Sequence, residues 1–165
     1  MRHLGVLLAG LLPAASHALS PEAEEGRALY PACHVCHNPE MDPPLGPPMW
    51  GVQRLYRMNT VDDDDFVNTM VEFVKAPLPE NAKHQEAVAQ MGLMPPMPLP
   101  DELLEKIAGY ILEERFPPPC AHWRIAVKRA EQRGDLAHAE NTDEQPRQPR
   151  ALSGRSVCTA TRAMH

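Results

Sequence analysis

The chain has 165 residues and a formal net charge of −6, from 22 acidic and 16 basic side chains. This net negative charge argues against binding to nucleic acid, because phosphates are bound by basic side chains. No nucleophile beside a base and no glycine-rich phosphate loop stands out in the sequence, so an enzyme is not predicted.

The first 18 residues have the layout of a secretory signal peptide. A basic start at Arg2 precedes an apolar run over residues 4–12, and small residues follow as far as Ala18. The apolar run is too short to cross a bilayer. We therefore expect cleavage after Ala18, export to a bacterial periplasm, and no transmembrane anchor in the mature protein.

The first predicted helix begins after Ser20, a residue type that caps helix N-termini. Pro21 suits the first helical position, and acidic residues in the first turn favour the helix dipole. We expect this helix to continue through Leu29 into the next segment.

That segment, Cys33-His34-Val35-Cys36-His37, is the most informative of the chain. Two cysteines separated by two residues and followed by histidine form the attachment signature of a c-type haem. Both thiols add to the vinyl groups of one haem, and His37 then becomes the proximal ligand of its iron. The pair Cys33 and Cys36 alone also fits a thioredoxin-type redox couple, half of a zinc site or a short disulfide.

The rest of residues 19–116 predicts helices separated by proline-rich loops. Five prolines lie between Asn38 and Met49, and the chain from the motif to residue 61 is expected to be loop. Apolar residues recur at helical spacing in two later segments, 62–74 and 101–115, while residues 79–90 form a polar helical stretch. No strand is predicted.

Several short motifs occur in a fixed order along residues 20–116. They are Gly26-x-x-x-Tyr30, the cysteine motif, Gly46-Pro47-x-Met49-x-Gly51, the Met94-Pro95 loop, and Tyr110 sixteen residues after Met94. In this order the segment resembles a small class I cytochrome c. The resemblance implies an all-α, cytochrome c-like fold of about four short helices wrapped around one covalently bound haem c.

The resemblance also implies roles for individual residues. Met94 takes the place of the distal iron ligand, with Met97 as the alternative. The carbonyl of Pro47 is expected to accept a hydrogen bond from Nδ1 of His37, and Trp50 either packs on the porphyrin or donates to a propionate. In the family the first and last helices cross, with Gly26 at the contact.

Other candidates for iron ligands receive simpler interpretations. His84 lies in the polar stretch and is interpreted as a solvated surface histidine. The remaining methionines are interpreted as adaptable filler of the core or of the haem edge; they are Met49, Met58, Met70 and Met91.

An iron held by histidine and methionine has no open position, so the predicted function is single-electron transfer. Residues 19–116 carry 17 acidic and 7 basic residues, a balance of −10, which predicts redox partners with a basic docking surface. A monomer is expected. The alternatives are a haem subunit bound tightly to a periplasmic dehydrogenase or oxidase and, needing an open iron site, a haem peroxidase or ligand sensor.

Residues 117–165 form a C-terminal extension that small cytochromes c usually lack. Its 8 basic and 5 acidic residues give it a charge opposite to that of the preceding domain. Residues 121–139 predict an amphipathic helix that folds back on the domain, and the remainder predicts disorder. Whether Cys120 and Cys158 pair is left open by the sequence.

Overall fold

The computed structural model describes residues 18–134 and Cys158. The predicted signal peptide, except for Ala18, and most of the predicted disordered tail lie outside the described residues. Within residues 18–134 the protein is all-α, with no strand, as the sequence predicts. It has six α-helices before the extension where about four were predicted, because the first predicted helix is divided and a helix, Met49–Met58, forms where loop was expected. The helices are α1 (Pro21–Leu29), α2 (Pro31–His37), α3 (Met49–Met58), α4 (Asp63–Lys75), α5 (Gln85–Met91), α6 (Asp101–Glu113) and α7 (Cys120–Gln132), with a short 3-10 turn at Pro79–Asn81.

Side-chain caps fix the starts of α1 and α4. The Ser20 hydroxyl accepts a hydrogen bond from the Ala23 backbone N–H at 3.1 Å, which confirms the predicted cap. At α4 the Asp62 carboxylate accepts one from the Asp65 N–H at 2.8 Å. Each cap satisfies one of the N–H groups that a helix start leaves without an intrahelical partner.

The helix before the motif differs from the sequence prediction, because it is broken and does not run continuously into the cysteines. Helix α1 ends at Leu29, and α2 begins at Pro31. A proline has no N–H to donate to the preceding turn, yet it suits the first position of a new helix. The break lets α2 leave the direction of α1.

The expectation of loop from the motif to residue 61 is wrong for its second half, where α3 forms. The prolines stop at Pro48, which becomes the residue before the helix. Beyond it Met49, Val52 and Tyr56 recur at helical spacing and face the interior. The prolines therefore predicted the loop correctly only in the first half of the segment.

The packing of α1 against α6 is the main helix contact of the fold. At Gly26 a Cβ atom would lie 1.9 Å from the backbone oxygen of Lys106, so only glycine permits this approach. The rings of Tyr30 and Tyr110 pack beside it, with centroids 5.1 Å apart. Where the start of α1 meets the end of α6, the N–H and the hydroxyl of Ser20 both donate to the Glu113 carboxylate at 2.7 Å.

Helices α3 and α4 complete the core against α6. The Gln53 side-chain amide donates to the carbonyls of Ile111 at 2.5 Å and of Glu114 at 2.7 Å, and Arg57 donates to Leu112. These bonds satisfy carbonyls that the end of α6 leaves open. The buried cluster consists of Ala23, Met49, Tyr56, Phe66, Met70, Val71, Leu104, Ile107, Ala108, Tyr110, Ile111 and Leu112.

The C-terminal extension folds back on the domain through α7. Helix α7 starts one residue before the predicted helix and ends at Gln132, so the prediction of helix is wrong for residues 133–134, where the chain turns and Gly134 has a φ of 72°. Residues 135–139 of the prediction lie outside the described residues. The Trp123 ring packs edge-on against Trp50 with centroids 5.7 Å apart, and Arg129 pairs with Asp42. Cys120, at the start of α7, forms a disulfide with Cys158, which answers the question that the sequence left open.

Candidate haem site

Helix α2 carries the cysteine motif, and residues of the loop that follows it lie against the motif. His37 is the last residue of this helix, and its Nδ1 lies 2.6 Å from the Pro47 carbonyl. A carbonyl can only accept, so Nδ1 carries the proton and the lone pair of the ring lies on Nε2. This is the arrangement that a metal-binding histidine needs.

Gly46 allows the loop to approach the motif this closely. A Cβ atom at Gly46 would lie 3.2 Å from the Cys36 carbonyl oxygen and 3.4 Å from the His37 ring. Burial lowers the pKa of His37, although the bond to Pro47 opposes this. The imidazole is therefore kept in the neutral form, which is the form that binds a metal.

The motif opens into a cavity of about 400 Å³ in the interior of the fold. Cys33, Cys36 and His37 line one part of it, and Met94 and Met97 also line it. Besides these, the polar side chains in its wall are Tyr56, Lys83 and His84. The other lining side chains are apolar, as expected of a site that encloses a largely apolar cofactor.

The loop that carries the methionines is fixed to α4. The Met97 N–H donates to the Val74 carbonyl at 3.0 Å, and Lys75 pairs with Asp101 at 2.7 Å. Met97 packs against the buried core, whereas Met94 lines the cavity without belonging to that cluster. Of the two sulfurs, that of Met94 is the one not used in core packing.

The other methionines fall into two groups. Met49 and Met70 are 5% and 4% exposed and line the cavity, as does the half-buried Met91, in agreement with their interpretation as filler. Met58 was given the same interpretation but is 68% exposed at the end of α3. That interpretation is wrong for Met58, because the helix directs it outward.

His84 is half-buried and lines the cavity, so its interpretation as a solvated surface residue is wrong. Its Nδ1 accepts a hydrogen bond from the Ala87 N–H at 3.3 Å at the start of α5. When Nδ1 accepts, the ring proton lies on Nε2, and neither nitrogen has a lone pair left for a metal. In this arrangement His84 serves as a helix cap.

Trp50 is not among the side chains that line the cavity. Its ring packs against Trp123 of α7, with the Arg54 guanidinium 5.7 Å from the ring centroid. The structure therefore gathers Cys33, Cys36 and His37 with Pro47 and the methionine loop, and it directs the Trp50 ring toward the extension.

The two motif thiols are free and not joined to each other. Burial raises the pKa of Cys33, and the nearby Cys36 raises it further. Cysteines of redox couples have a lowered pKa, because the thiolate is the reactive form. The surroundings of Cys33 thus differ from those of a thioredoxin-type pair.

No protein-family model, curated protein or solved structure matches the chain. Residues 18–134 contain no helix long and apolar enough to cross a membrane. In the same part of the chain, no group of three or more His, Cys, Asp or Glu side chains is arranged so that it could hold a metal ion. A site made of one histidine and one methionine is not a cluster of that kind.

Sequence reasoning missed Tyr56 and Lys83 as lining residues. Tyr56 lies in α3. Because this segment was predicted to be loop, the sequence did not indicate that Tyr56 is buried. A helical assignment for residues 49–58 would have placed Tyr56 on the same face as Met49 and Val52.

Proposed function

We propose that this chain is an exported electron-transfer protein that carries one haem c, attached through Cys33 and Cys36. His37 is the proximal ligand of the iron and Met94 the distal ligand. The observation that carries the proposal is the 2.6 Å contact between Nδ1 of His37 and the Pro47 carbonyl, beside two free thiols at one cavity. The sequence motif alone does not require that contact.

The residues of the cavity fit such a group. Both thiols and the lone pair of His37 are available on one helix, and a thioether sulfur lies in a loop held by backbone bonds. The wall is mainly apolar, which suits a porphyrin. When bound, the haem supplies the transfer of single electrons.

The chain's own residues then have separate tasks. Pro47 holds the imidazole in one tautomer and orientation and raises its basicity as a ligand. The proline-rich loop around Met94 would hold a soft thioether sulfur as a ligand, which would favour the reduced state of the iron. If His37 and Met94 both hold the iron, no position on it would be open to a substrate, so we propose a carrier and not a peroxidase or a sensor.

The packing of the extension bears on the alternative of a haem subunit tethered to an enzyme. Trp123 and Arg129 contact Trp50 and Asp42 of the same chain. The half-buried side of α7 is thus used within the chain, which favours a carrier with a docked extension over a subunit held by a loose tail.

The test is production of the full chain in a bacterium with haem-maturation machinery. We expect the mature protein to gain the mass of one haem, lose its leader and resist alkylation at both motif thiols. Colourless protein with alkylatable Cys33 and Cys36 would overturn the proposal. Cys120→Ser is the matched control, because it removes a cysteine outside the motif and should keep the haem.

A second test assigns the distal ligand. Met94→Leu should abolish the far-red absorption band that a methionine–iron bond gives to the oxidised protein, while Met97→Leu should keep it. If Met97→Leu alone removes the band, the ligand is Met97. A wild-type protein without the band would favour the peroxidase or sensor alternative.

The acidic surface of residues 19–116 leads to a proposal about partners. A balance of −10 should steer the protein to redox partners with a basic docking surface. The rate of electron transfer with such a partner should fall as ionic strength rises, because salt screens the attraction. A rate indifferent to salt would contradict this part of the proposal.

A further inference from the structure

The contact between the start of α1 and the end of α6 lies close to the predicted cleavage site of the leader. The N–H and the hydroxyl of Ser20 donate to the two carboxylate oxygens of Glu113, each at 2.7 Å. The same hydroxyl caps α1 by accepting from the Ala23 N–H. Cleavage after Ala18 would leave Leu19 as the first residue, so a single residue would precede this contact.

Burial of the chain changes at the predicted cleavage site. Ala18 is exposed, whereas Leu19 is half-buried and packs against the buried cluster of the domain. Packing of the Leu19 side chain restrains its backbone, including its nitrogen. An amine formed at Leu19 would therefore be held against the fold and would not extend into solvent.

Chain geometry limits the distance between this amine and the Glu113 carboxylate. Successive backbone nitrogens are joined by three bonds, so they lie at most about 3.7 Å apart. Because the Ser20 nitrogen lies 2.7 Å from Oε2 of Glu113, the Leu19 nitrogen lies within about 6 Å of that oxygen. An opposite charge within about 4 to 6 Å favours the charged form of an ionisable group.

A positive charge also suits the end of α6. The helix ends at Glu113, Glu114 follows as its C-cap, and its last turn contains no basic residue. The carbonyl end of a helix carries a partial negative charge, which a nearby cation stabilises. Glu114 already bonds to the Tyr110 hydroxyl and to the Arg115 N–H, so Glu113 is the carboxylate that faces the start of the chain.

We propose that removal of the leader creates an ion pair between the new α-ammonium group of Leu19 and the Glu113 carboxylate. Hydrolysis adds water across the bond between Ala18 and Leu19, so the leader departs with a carboxylate and Leu19 keeps an ammonium group. An uncharged amide nitrogen thus becomes a cation beside α6. The inference rests on the export proposed above, and it makes the contact of α1 with α6 stronger in the mature chain than in the precursor.

The first test measures the pKa of the Leu19 amine in the exported full chain by NMR, after methylation with isotope-labelled formaldehyde. We expect a pKa above the ordinary α-amino range of about 7.7 to 8.0 by about 0.5, a threefold change in proton affinity. Glu113→Gln should return it to the ordinary range. The matched control is Glu114→Gln, which removes the adjacent carboxylate and should keep most of the shift. An ordinary pKa in the wild type, or equal falls in both variants, would overturn the proposal.

The second test moves the amine and leaves both helices unchanged, so it also serves if Glu113→Gln does not fold. Two serines inserted between Ala18 and Leu19 place the amine up to about 7 Å farther along the chain. The other charged and titratable groups near this point stay the same in both chains; they are Glu22, Glu24 and Arg27 of α1 and Tyr110, Glu113, Glu114 and Arg115 at the end of α6.

Denaturant unfolding of the two chains at two pH values gives the second measurement. An amine whose pKa is raised by folding stabilises the folded state below its unfolded pKa, and this stabilisation is lost as pH rises through the folded pKa. At about pH 6.5 the insertion should therefore raise the unfolding equilibrium constant about threefold, and at about pH 9.5 it should have little effect. Equal unfolding at the lower pH, or the same difference at both, would overturn the proposal.

Amino-terminal sequencing and the mass of the exported protein separate the possible failures. A chain that keeps its leader contradicts the proposed export and this inference together. Cleavage at another bond, or cleavage after Ala18 with an ordinary amine pKa, contradicts the inference alone. A chain cleaved after Ala18 that carries no haem contradicts the proposed cofactor, and its amine pKa still decides whether the ion pair forms.

Discussion

The domain of residues 19–116 and the extension that follows it are held together by different means. In the domain, helices pack closely and bury a continuous cluster of twelve side chains. In α7 of the extension only Ala130 is buried. The described contacts of α7 with the domain include a tryptophan pair and an ion pair, and the disulfide joins two residues of the extension itself. Local stability follows buried apolar contact, so the extension should open well before the domain does.

The largest effect is expected at the helix contact of the domain. In Gly26→Ala the new methyl group would overlap the Lys106 carbonyl, a backbone group that cannot move without shifting α6. We expect the free energy of unfolding to fall by about 3 kcal/mol, the upper part of the usual cost of overpacking. Denaturant unfolding of the full chain measures it.

The matched control lies on the other helix of the same contact. A Cβ atom at Gly109 in α6 meets nothing within 4 Å. Gly109→Ala should therefore raise the free energy of unfolding by about 0.5 to 1 kcal/mol, because alanine is the better helix former. Equal losses from both variants would show that the contact is not as close as the structure has it.

The next effect separates the extension from the domain. The disulfide joins two residues of the extension that are 38 apart in sequence, and we expect its loss to cost the extension about 2.5 kcal/mol, within the usual range for such a cross-link. In Cys120→Ser we expect faster amide hydrogen exchange in α7 and unchanged exchange in α6. If both helices exchange faster, the two regions form one cooperative unit and do not differ in local stability.

A smaller loss is expected when the aromatic contact of α7 is removed. Trp123→Ala deletes the ring that packs on Trp50, and for a half-buried tryptophan we expect α7 to lose about 2 kcal/mol of local stability. Arg124→Ala is the control, since Arg124 is exposed and should change stability by no more than about 0.5 kcal/mol. Hydrogen exchange in α7 is again the measurement.

The smallest effect is a pH dependence of the extension. Burial lowers the pKa of His122, and the nearby His84 lowers it further; burial also lowers the pKa of His84, against the opposing effect of Glu86. The folded state then binds fewer protons than the unfolded state, so stability is lost as pH falls below the ordinary histidine value of 6.5. His122→Gln should weaken this dependence, and an unchanged profile would contradict it.

Much of the domain follows from local signals in the sequence. The Ser20 cap, the acidic helix starts and the apolar spacing of α4 and α6 act within a few residues. The start of α1 and both ends of α4 and α6 were therefore predicted to within a few residues, whereas the end of α1 was not. Helix α3 was missed because the prolines before it outweighed a short apolar pattern. Of the predicted site, the contact between His37 and Pro47 is present, while the Trp50 ring faces α7.

The sequence by itself determined the all-α class and the chemistry available in the cysteine motif, because these depend on residue type and spacing. The glycine at the helix contact was implied by the family resemblance of the sequence. Only the tertiary structure decided that Trp50 meets Trp123, that His84 caps a helix, and that Tyr56 lines the cavity. Those facts depend on which residues distant in sequence become neighbours, and spacing along one helix does not determine what another helix brings to it.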